Sequence, residues 1–131
     1  MNSEQKMVLD WHERFGVRVR TTPGPVDPKT RDLRIALIKE ELGELEEAGH
    51  KQDLTKIADA IADLLYVVYG TAVSYGIDIE PIFQEVHRSN MSKGDPEIVQ
   101  ASNGKILKSR NWTPPNLEPI LKTQNEIQTI R

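Results

Sequence analysis

Five carboxylates, Glu40, Glu41, Glu44, Asp59 and Asp63, set the chemistry this chain can attempt. Asp59 and Asp63 interrupt the stretch from Ile57 to Tyr69, whose only other polar side-chain atoms are the hydroxyls of Tyr66 and Tyr69. An apolar run of this length reads as a buried helix, and a spacing of four puts both aspartates on one face, a turn apart. Like charges on a buried face must be paired, protonated or bound to a metal, yet no Lys or Arg occurs between Lys56 and His87. Just upstream, Glu40-Glu41-Leu42-Gly43-Glu44 places Glu41 and Glu44 three apart. Fourteen residues separate Glu44 from Asp59, enough to end one helix, turn and begin another. The two acidic pairs then face each other across a tight αα-hairpin. Carboxylates converging between packed helices make a cage for a hard divalent cation.

The elements that must position these acids follow from caps, breakers and apolar spacing. Ser3 caps a first helix that ends at Gly16, with Met7, Val8, Trp11 and Phe15 on one stripe. Trp11 and Phe15 read first as core packing and second as a surface for stacking a ligand. Residues 17–29 hold Pro23, Gly24, Pro25 and Pro28 and form an irregular connection, long enough to carry function. Thr30 begins the second helix, Ile35, Ile38, Leu42 and Leu45 line it, and Gly49 stops it. Glu46 and Glu47 fit a solvated face, whereas Glu41 and Glu44 flank the apolar stripe. Arg34, before the acids, is expected to pair with a carboxylate. Asp53 caps the third helix, which runs to about Tyr75 before Gly76. The fourth starts at Asp78 with Pro81 in its first turn. It turns Ile79, Ile82, Phe83 and Val86 inward and presents His87, Arg88, Asn90 and Lys93. Past Gly94 the pattern breaks up. Asn103-Gly104 marks a turn, and Lys105, Lys108, Arg110 and Trp112 follow. Asn116 caps a short terminal helix whose apolar residues, Ile120, Leu121 and Ile127, suit docking on the domain or on a second subunit.

Composition narrows the class. A chain of 131 residues suits one domain, 1–131. With 37% hydrophobic but only 5% aromatic residues, the core must be built from Leu, Ile, Val and Ala, which favours helices. A net charge of −3 without a basic run gives nucleic-acid binding little support. The absence of cysteine excludes thiolate metal sites, thiol nucleophiles and disulfides. Met1 to Asp10 lacks the apolar core of a signal peptide, and the longest apolar run is broken by Asp63 and Gly70. A cytoplasmic protein that does not enter the membrane is expected.

Glu40-Glu41-Leu42-Gly43-Glu44-Leu45 followed by Asp59-Ala60-Ile61-Ala62-Asp63-Leu64-Leu65 resembles the all-α nucleoside triphosphate pyrophosphohydrolases, the MazG-like and phosphoribosyl-ATP pyrophosphohydrolase-like group. The segment Val86 to Lys93 and the later Gly104-Lys105-Ile106-Leu107-Lys108 are similar to small stand-alone bacterial and phage members, so the likeness covers about residues 30–112. The resemblance implies a four-helix bundle with a short C-terminal helix. It implies hydrolysis of a nucleoside triphosphate (dUTP, dCTP, dGTP, GTP or a mixture) between the α- and β-phosphates, giving monophosphate and pyrophosphate. Mg²⁺, or Mn²⁺ in its place, would sit on Glu41, Glu44 and Asp63. The family pattern carries Glu-x-x-Asp on the second acidic helix. Here Ala60 stands at the Glu position, and Asp59, one residue earlier and on the face of Asp63, is the substitute ligand. Glu40 is a further ligand or the group that orients water, so Glu40 and Glu41 are the candidate catalytic carboxylates. Arg88, Asn90, Lys93, Lys105 and Lys108 are candidates to hold phosphates, and Trp11, Phe15 and the proline-rich connection to wall a base pocket.

Two other readings compete. A carboxylate-bridged di-iron bundle needs Glu-x-x-His on two helices; Glu47-Ala48-Gly49-His50 matches once, and the third helix has no histidine. The other is a non-catalytic helical metal-binding or interaction protein; as an interaction protein with structural or solvated acids, it leaves Asp59 and Asp63 unpaired inside an apolar helix. One such hairpin also leaves apolar Val67, Val68, Val73 and Ile120 to cover, so a homodimer or homotetramer is expected.

Overall fold

The computed structural model describes the backbone of residues 1–130 and the side chains of residues 1–126. Ile127, part of the expected terminal apolar face, lies outside the described side chains. Among the described residues, the helices are α1 (Ser3–Phe15), α2 (Pro28–Lys51), α3 (Leu54–Tyr75), α4 (Ile79–Met91) and α5 (Glu118–Ile130). A 3-10 turn, Ser92–Gly94, follows α4, and β1 (Val99–Gln100) pairs antiparallel with β2 (Ile106–Leu107). The class is all-α, and the chain divides into two compact units, Met1–Asp78 and Ile79–Arg131.

Helix boundaries follow from side chains that satisfy orphan backbone groups. Asn2, not Ser3, caps α1 by accepting from the Gln5 N–H at 2.8 Å. Asp27 caps α2 by accepting from the Thr30 N–H at 3.0 Å, so α2 begins at Pro28 rather than at Thr30. Proline suits this first position because its missing N–H would have been unsatisfied anyway. Asp53 caps α3 as its sequence position predicts, accepting from the Lys56 N–H at 3.2 Å. Gly49 does not stop α2. The helix runs to Lys51, and Gln52 takes the left-handed conformation at φ 51° that closes it. Only Gln52 and Asp53 then separate α2 from α3.

In the first unit, α3 packs on both α2 and α1. Arg34 on α2 meets Val67 and Thr71 on α3, while Ala48, near the far end of α2, shares a cavity wall with Ala60. Positions advancing along α2 thus meet positions receding along α3, which makes the pair an antiparallel hairpin. The buried face of α2 runs through Arg34 and Ala48, with Ile38, Glu41 and Leu45 half-buried between them. Ile35 and Leu42, expected inside, are exposed. On α1 the buried residues are Gln5, Val8 and His12, while Met7, Trp11 and Phe15 face outward. Both helices are rotated from their apolar stripes for one reason: polar side chains on the inner faces have backbone acceptors waiting. Gln5 donates to the Ile77 carbonyl at 2.7 Å, Ser74 to the Arg18 carbonyl at 2.9 Å, and His12 Nδ1 lies 3.1 Å from that same Arg18 oxygen. Buried polar groups are tolerated when they are bonded.

Arg34, only 4% exposed, donates to the Val67 carbonyl at 3.0 Å and lies 3.4 Å from Thr71 Oγ1. The expected carboxylate partner is replaced by carbonyl and hydroxyl oxygens. Burial holds the Arg34 pKa below its ordinary value, and burial likewise lowers that of His12, with the Arg34 charge adding to the effect. His12, 1% exposed, is a core residue.

The connection between α1 and α2 is bound to the end of α3. The Arg20 N–H donates to the Val73 carbonyl at 3.2 Å, and the Gly24 N–H to the Tyr75 carbonyl at 3.1 Å. The Arg20 guanidinium closes the loop on the Thr22 and Pro25 carbonyls at 3.0 and 3.1 Å. Val73 is buried rather than left over as surface. The remaining side of α3 is not covered: Ile61, Leu65 and Val68 are 45%, 51% and 44% exposed. By length and composition α3 is long and apolar enough to cross a membrane, although Asp63 and Gly70 interrupt its apolar run. One such helix is weak support for a span, and this one carries Asp59 and Asp63 and packs on α1 and α2.

In the second unit, Ile82 of α4 is buried but Phe83 is exposed, against expectation. Ser89 donates to the Thr113 carbonyl at 2.7 Å, and the Thr113 N–H donates to Ser92 Oγ at 3.0 Å. The β1–β2 ribbon was missed in the sequence although Asn103-Gly104 marked its turn. Its strands are two residues each, too short for alternation to register.

Gly70 sits where α1, α2 and α3 meet. A Cβ there would strike the Arg34 guanidinium and lie 2.9 Å from His12 Nε2. Gly70→Ala should therefore destabilise the protein by about 1–3 kcal/mol, the usual cost of overpacking, read as a lower midpoint in urea unfolding. Gly43→Ala, with nothing near its Cβ position, is the control and should not destabilise.

Candidate metal centre

Glu41 and Glu44 project from successive turns of α2, and Asp63 comes from α3. Each offers one carboxylate oxygen to a cluster whose atoms all lie within 4.8 Å of one another. Glu41 and Asp63 are half-buried in the α2–α3 seam and Glu44 is exposed at its edge. Glu41 Oε2 is buried with no hydrogen-bond partner among the described residues. An orphaned carboxylate oxygen is expensive to desolvate unless something neutralises it.

The electrostatics agree. The Glu41 pKa is pushed up from 4.5 to about 7, first by burial, then by hydrogen bonding with and charge on Glu44, then by the charges of Asp63 and Glu40. Asp63 is raised first by burial, then by Asp59 and Glu44. Every perturbing charge is negative. A divalent cation among hard oxygen donors would remove the repulsion and satisfy the orphaned oxygen. The donor set therefore fits a divalent cation.

The other sequence-predicted residues are placed as follows. Glu40 is exposed on α2 beside Glu41. Asp59 is exposed one turn before Asp63 and outside the three-residue cluster; with Glu44 it lines an adjoining cavity. Trp11 and Phe15 stack at 4.9 Å between ring centroids, and Trp11 meets Tyr66 edge-on at 6.3 Å. All three rings are more than 40% exposed, so they form a surface cluster rather than the expected core. Tyr66, overlooked in the sequence, lies three residues beyond Asp63; the i, i+3 spacing was the available signal. Arg88, Asn90, Lys93, Lys105 and Lys108 belong to the second unit. There Arg88 binds Glu85 at 2.7 and 3.1 Å, Thr113 Oγ1 at 2.7 Å and the Pro114 carbonyl at 3.1 Å. Lys108 lies 4.4 Å over the Trp112 ring. Asn90 and Lys105 are exposed, and Lys93 is half-buried in the 3-10 turn.

A helical hairpin holding Glu41, Glu44 and Asp63 in one acidic cluster defines a class: all-α proteins equipped to use a divalent metal. Residues 8–90 match the phosphoribosyl-ATP pyrophosphohydrolase family, and the chain belongs to that all-α, MazG-like family of nucleotide pyrophosphohydrolases. The matched region takes in α2, α3 and all three clustered acids. An uncharacterised protein of Acanthamoeba polyphaga mimivirus is 48% identical over 54 residues, 41% of this chain. Those residues span 22% of the viral protein's length.

The raised Glu41 pKa predicts a definite pH dependence without metal. A carboxyl group with a raised folded pKa binds more protons folded than unfolded. Stability should then fall as pH rises from 4.5 toward about 7 and level off above. Thermal unfolding in EDTA across that range checks it. Glu41→Gln should flatten the slope, and saturating Mg²⁺ should raise the wild-type melting temperature at neutral pH. At a hundred times the dissociation constant the ion contributes about 2.7 kcal/mol.

Proposed function

We propose that this chain is a divalent-metal-dependent nucleoside triphosphate pyrophosphohydrolase that cleaves a ribo- or deoxyribonucleoside triphosphate between the α- and β-phosphates. The products are the monophosphate and pyrophosphate. The observation that carries the reading is the buried Glu41 Oε2, orphaned among the described residues, within a cluster of three carboxylates for which those residues supply no cationic partner. Family membership supports it. Glu41, Glu44 and Asp63 hold Mg²⁺, with Mn²⁺ able to substitute, and Asp59 adds a donor on the same face of α3. The bound ion neutralises phosphate charge and acidifies water. Glu40, exposed beside the cluster, accepts the proton or orients the water together with Glu41.

Phosphate contacts fall to Lys93, Lys105 and Lys108, with Arg88 and Asn90 nearby in sequence. Arg88 already spends its donors on Glu85, Thr113 and Pro114, so it acts by holding its unit together as much as by touching substrate. Trp11 and Phe15, now with Tyr66, supply exposed aromatic faces on which a base can stack. The same reading carries the MazG-like four-helix bundle with its C-terminal helix, a cytoplasmic location, and assembly as a homodimer or homotetramer. The open apolar side of α3 supports the assembly.

The deciding experiment offers ribo- and deoxyribonucleoside triphosphates and phosphoribosyl-ATP with Mg²⁺ and identifies both products. Monophosphate with pyrophosphate is expected; diphosphate with orthophosphate would sink the proposal, and metal binding without turnover of any substrate favours the non-catalytic metal-binding alternative. Asp63→Asn removes a ligand and a repelling charge together. It should abolish turnover yet melt no lower than wild type in EDTA, with a much smaller gain on adding Mg²⁺. Lys93→Ala, Lys105→Ala and Lys108→Ala should each cost roughly tenfold or more in turnover or substrate affinity, as expected for charge-assisted bonds of about 1.5–3 kcal/mol, with Mg²⁺ affinity unchanged.

A further inference from the structure

Beside the three-acid cluster, at the closed end of the hairpin, lies a cavity of about 300 Å³ lined by Glu44, Glu47, Ala48, Lys51, Lys56, Asp59 and Ala60. Its walls come from the last turns of α2 and the first turns of α3. The two alanines are buried, and their small side chains keep the space open. Glu44 belongs to both the cavity and the acidic cluster, which makes the two continuous.

The cavity also has cations, and these the reading of the sequence passed over. Lys51 reaches it from α2 and Lys56 from α3. Lys51 is bound to Glu47 at 2.8 Å, which fixes its ammonium group at the rim. Lys56 forms no ion pair within 4.0 Å among the described residues. Lys56, Asp59 and Asp63 follow a spacing of three then four along α3, so they share one face with the metal cluster at one end and an ammonium group at the other. The Lys56–Asp63 separation of seven residues corresponds to about 10 Å of helix, a span suited to a short chain of phosphates held at one end by metal and at the other by lysine.

We propose that this cavity is the subsite for the pyrophosphate end of the substrate, with Lys56 and Lys51, the latter steadied by Glu47, as the cationic contacts that the hairpin itself supplies beside those proposed for Lys93, Lys105 and Lys108. This rests on the hydrolase reading above and assigns its leaving group a place. Three carboxylates line the same cavity, so an anion enters only when a divalent ion on the neighbouring cluster bridges it to Glu44. Pyrophosphate binding is therefore expected to require Mg²⁺.

The test is calorimetric titration of the full-length protein with inorganic pyrophosphate, with and without Mg²⁺. Wild type should bind only with Mg²⁺. Lys56→Gln should weaken binding by about tenfold or more, Lys51→Gln together with Lys56→Gln should weaken it further, and Lys56→Arg should restore most of it. Mg²⁺ affinity and the melting temperature in EDTA, measured on the same samples, should stay close to wild type, showing that the hairpin is intact. Wild-type pyrophosphate affinity in Lys56→Gln would overturn the assignment, as would equal binding without Mg²⁺ or no binding at all. So would a loss of bound Mg²⁺ in Glu47→Gln while the lysine variants bind normally, since the cavity would then be a second cation site. The two readings fail separately. Turnover of a triphosphate by wild type together with normal pyrophosphate binding by Lys56→Gln rejects only the subsite. Lysine-dependent pyrophosphate binding with no turnover of any triphosphate rejects only the hydrolase.

Discussion

Setting Glu41 and Asp63 against each other in the α2–α3 seam, with Glu44 at its edge, costs free energy in the absence of a cation, and the rest of the first unit is arranged to bear that cost. Both carboxylates are half-buried, and each stands on a long helix packed against the other. At one end of the seam, the Arg34 guanidinium is bonded to the Val67 carbonyl. At the other, Ala48 and Ala60 are both buried. The acids lie between a polar clasp and a close approach of small residues. Coulomb repulsion across a few ångströms is strong in such a setting and weak in open water, which is why the same three residues on a mobile loop would make a poorer cation site.

The clasp depends on a second layer. Arg34 enters the interior without an acidic partner because α3 offers a carbonyl and a hydroxyl, and because Gly70 leaves room for the guanidinium and for the His12 ring. His12 in turn reaches the Arg18 carbonyl, which also receives Ser74. A chain of polar contacts thus runs from α2 through α1 into the loop after it. Each group is satisfied by carbonyl or hydroxyl oxygens rather than by an opposite charge, so the interior cation leaves the acidic cluster unneutralised.

The part of this arrangement legible in the sequence was the part written in local chemistry. Asp53 as a cap, Gly76 as a stop, and the i, i+3 spacing of Glu41 and Glu44 all act within a few residues, and Asp63 joins the two glutamates across a two-residue turn. The rotation of α1 and α2 was not legible. Periodicity assigned Ile35 and Leu42 to the interior, whereas Arg34 and Glu41 occupy it, because the deciding partners lie on another helix. Trp11 and Phe15 mislead for the same reason: large aromatic rings read as core, and only the tertiary structure shows polar Gln5 and His12 taking that place. Lys51 and Lys56 went unremarked, since nothing in the sequence shows that the hairpin closes a cavity between them.

The connection between α2 and α3 is just Gln52 and Asp53. Every acid of the cluster therefore belongs to one continuous segment, and Glu44 is separated from Asp63 by less than the length of either helix. Contacts so close along the chain lose little loop entropy on closing and form quickly. The cluster is then among the cheapest tertiary features to assemble, ahead of α1, which must return across a longer connection to cover α3. A segment with this property behaves as a cassette: its termini can be extended, or joined to different partners, while the spacing of its acids is preserved.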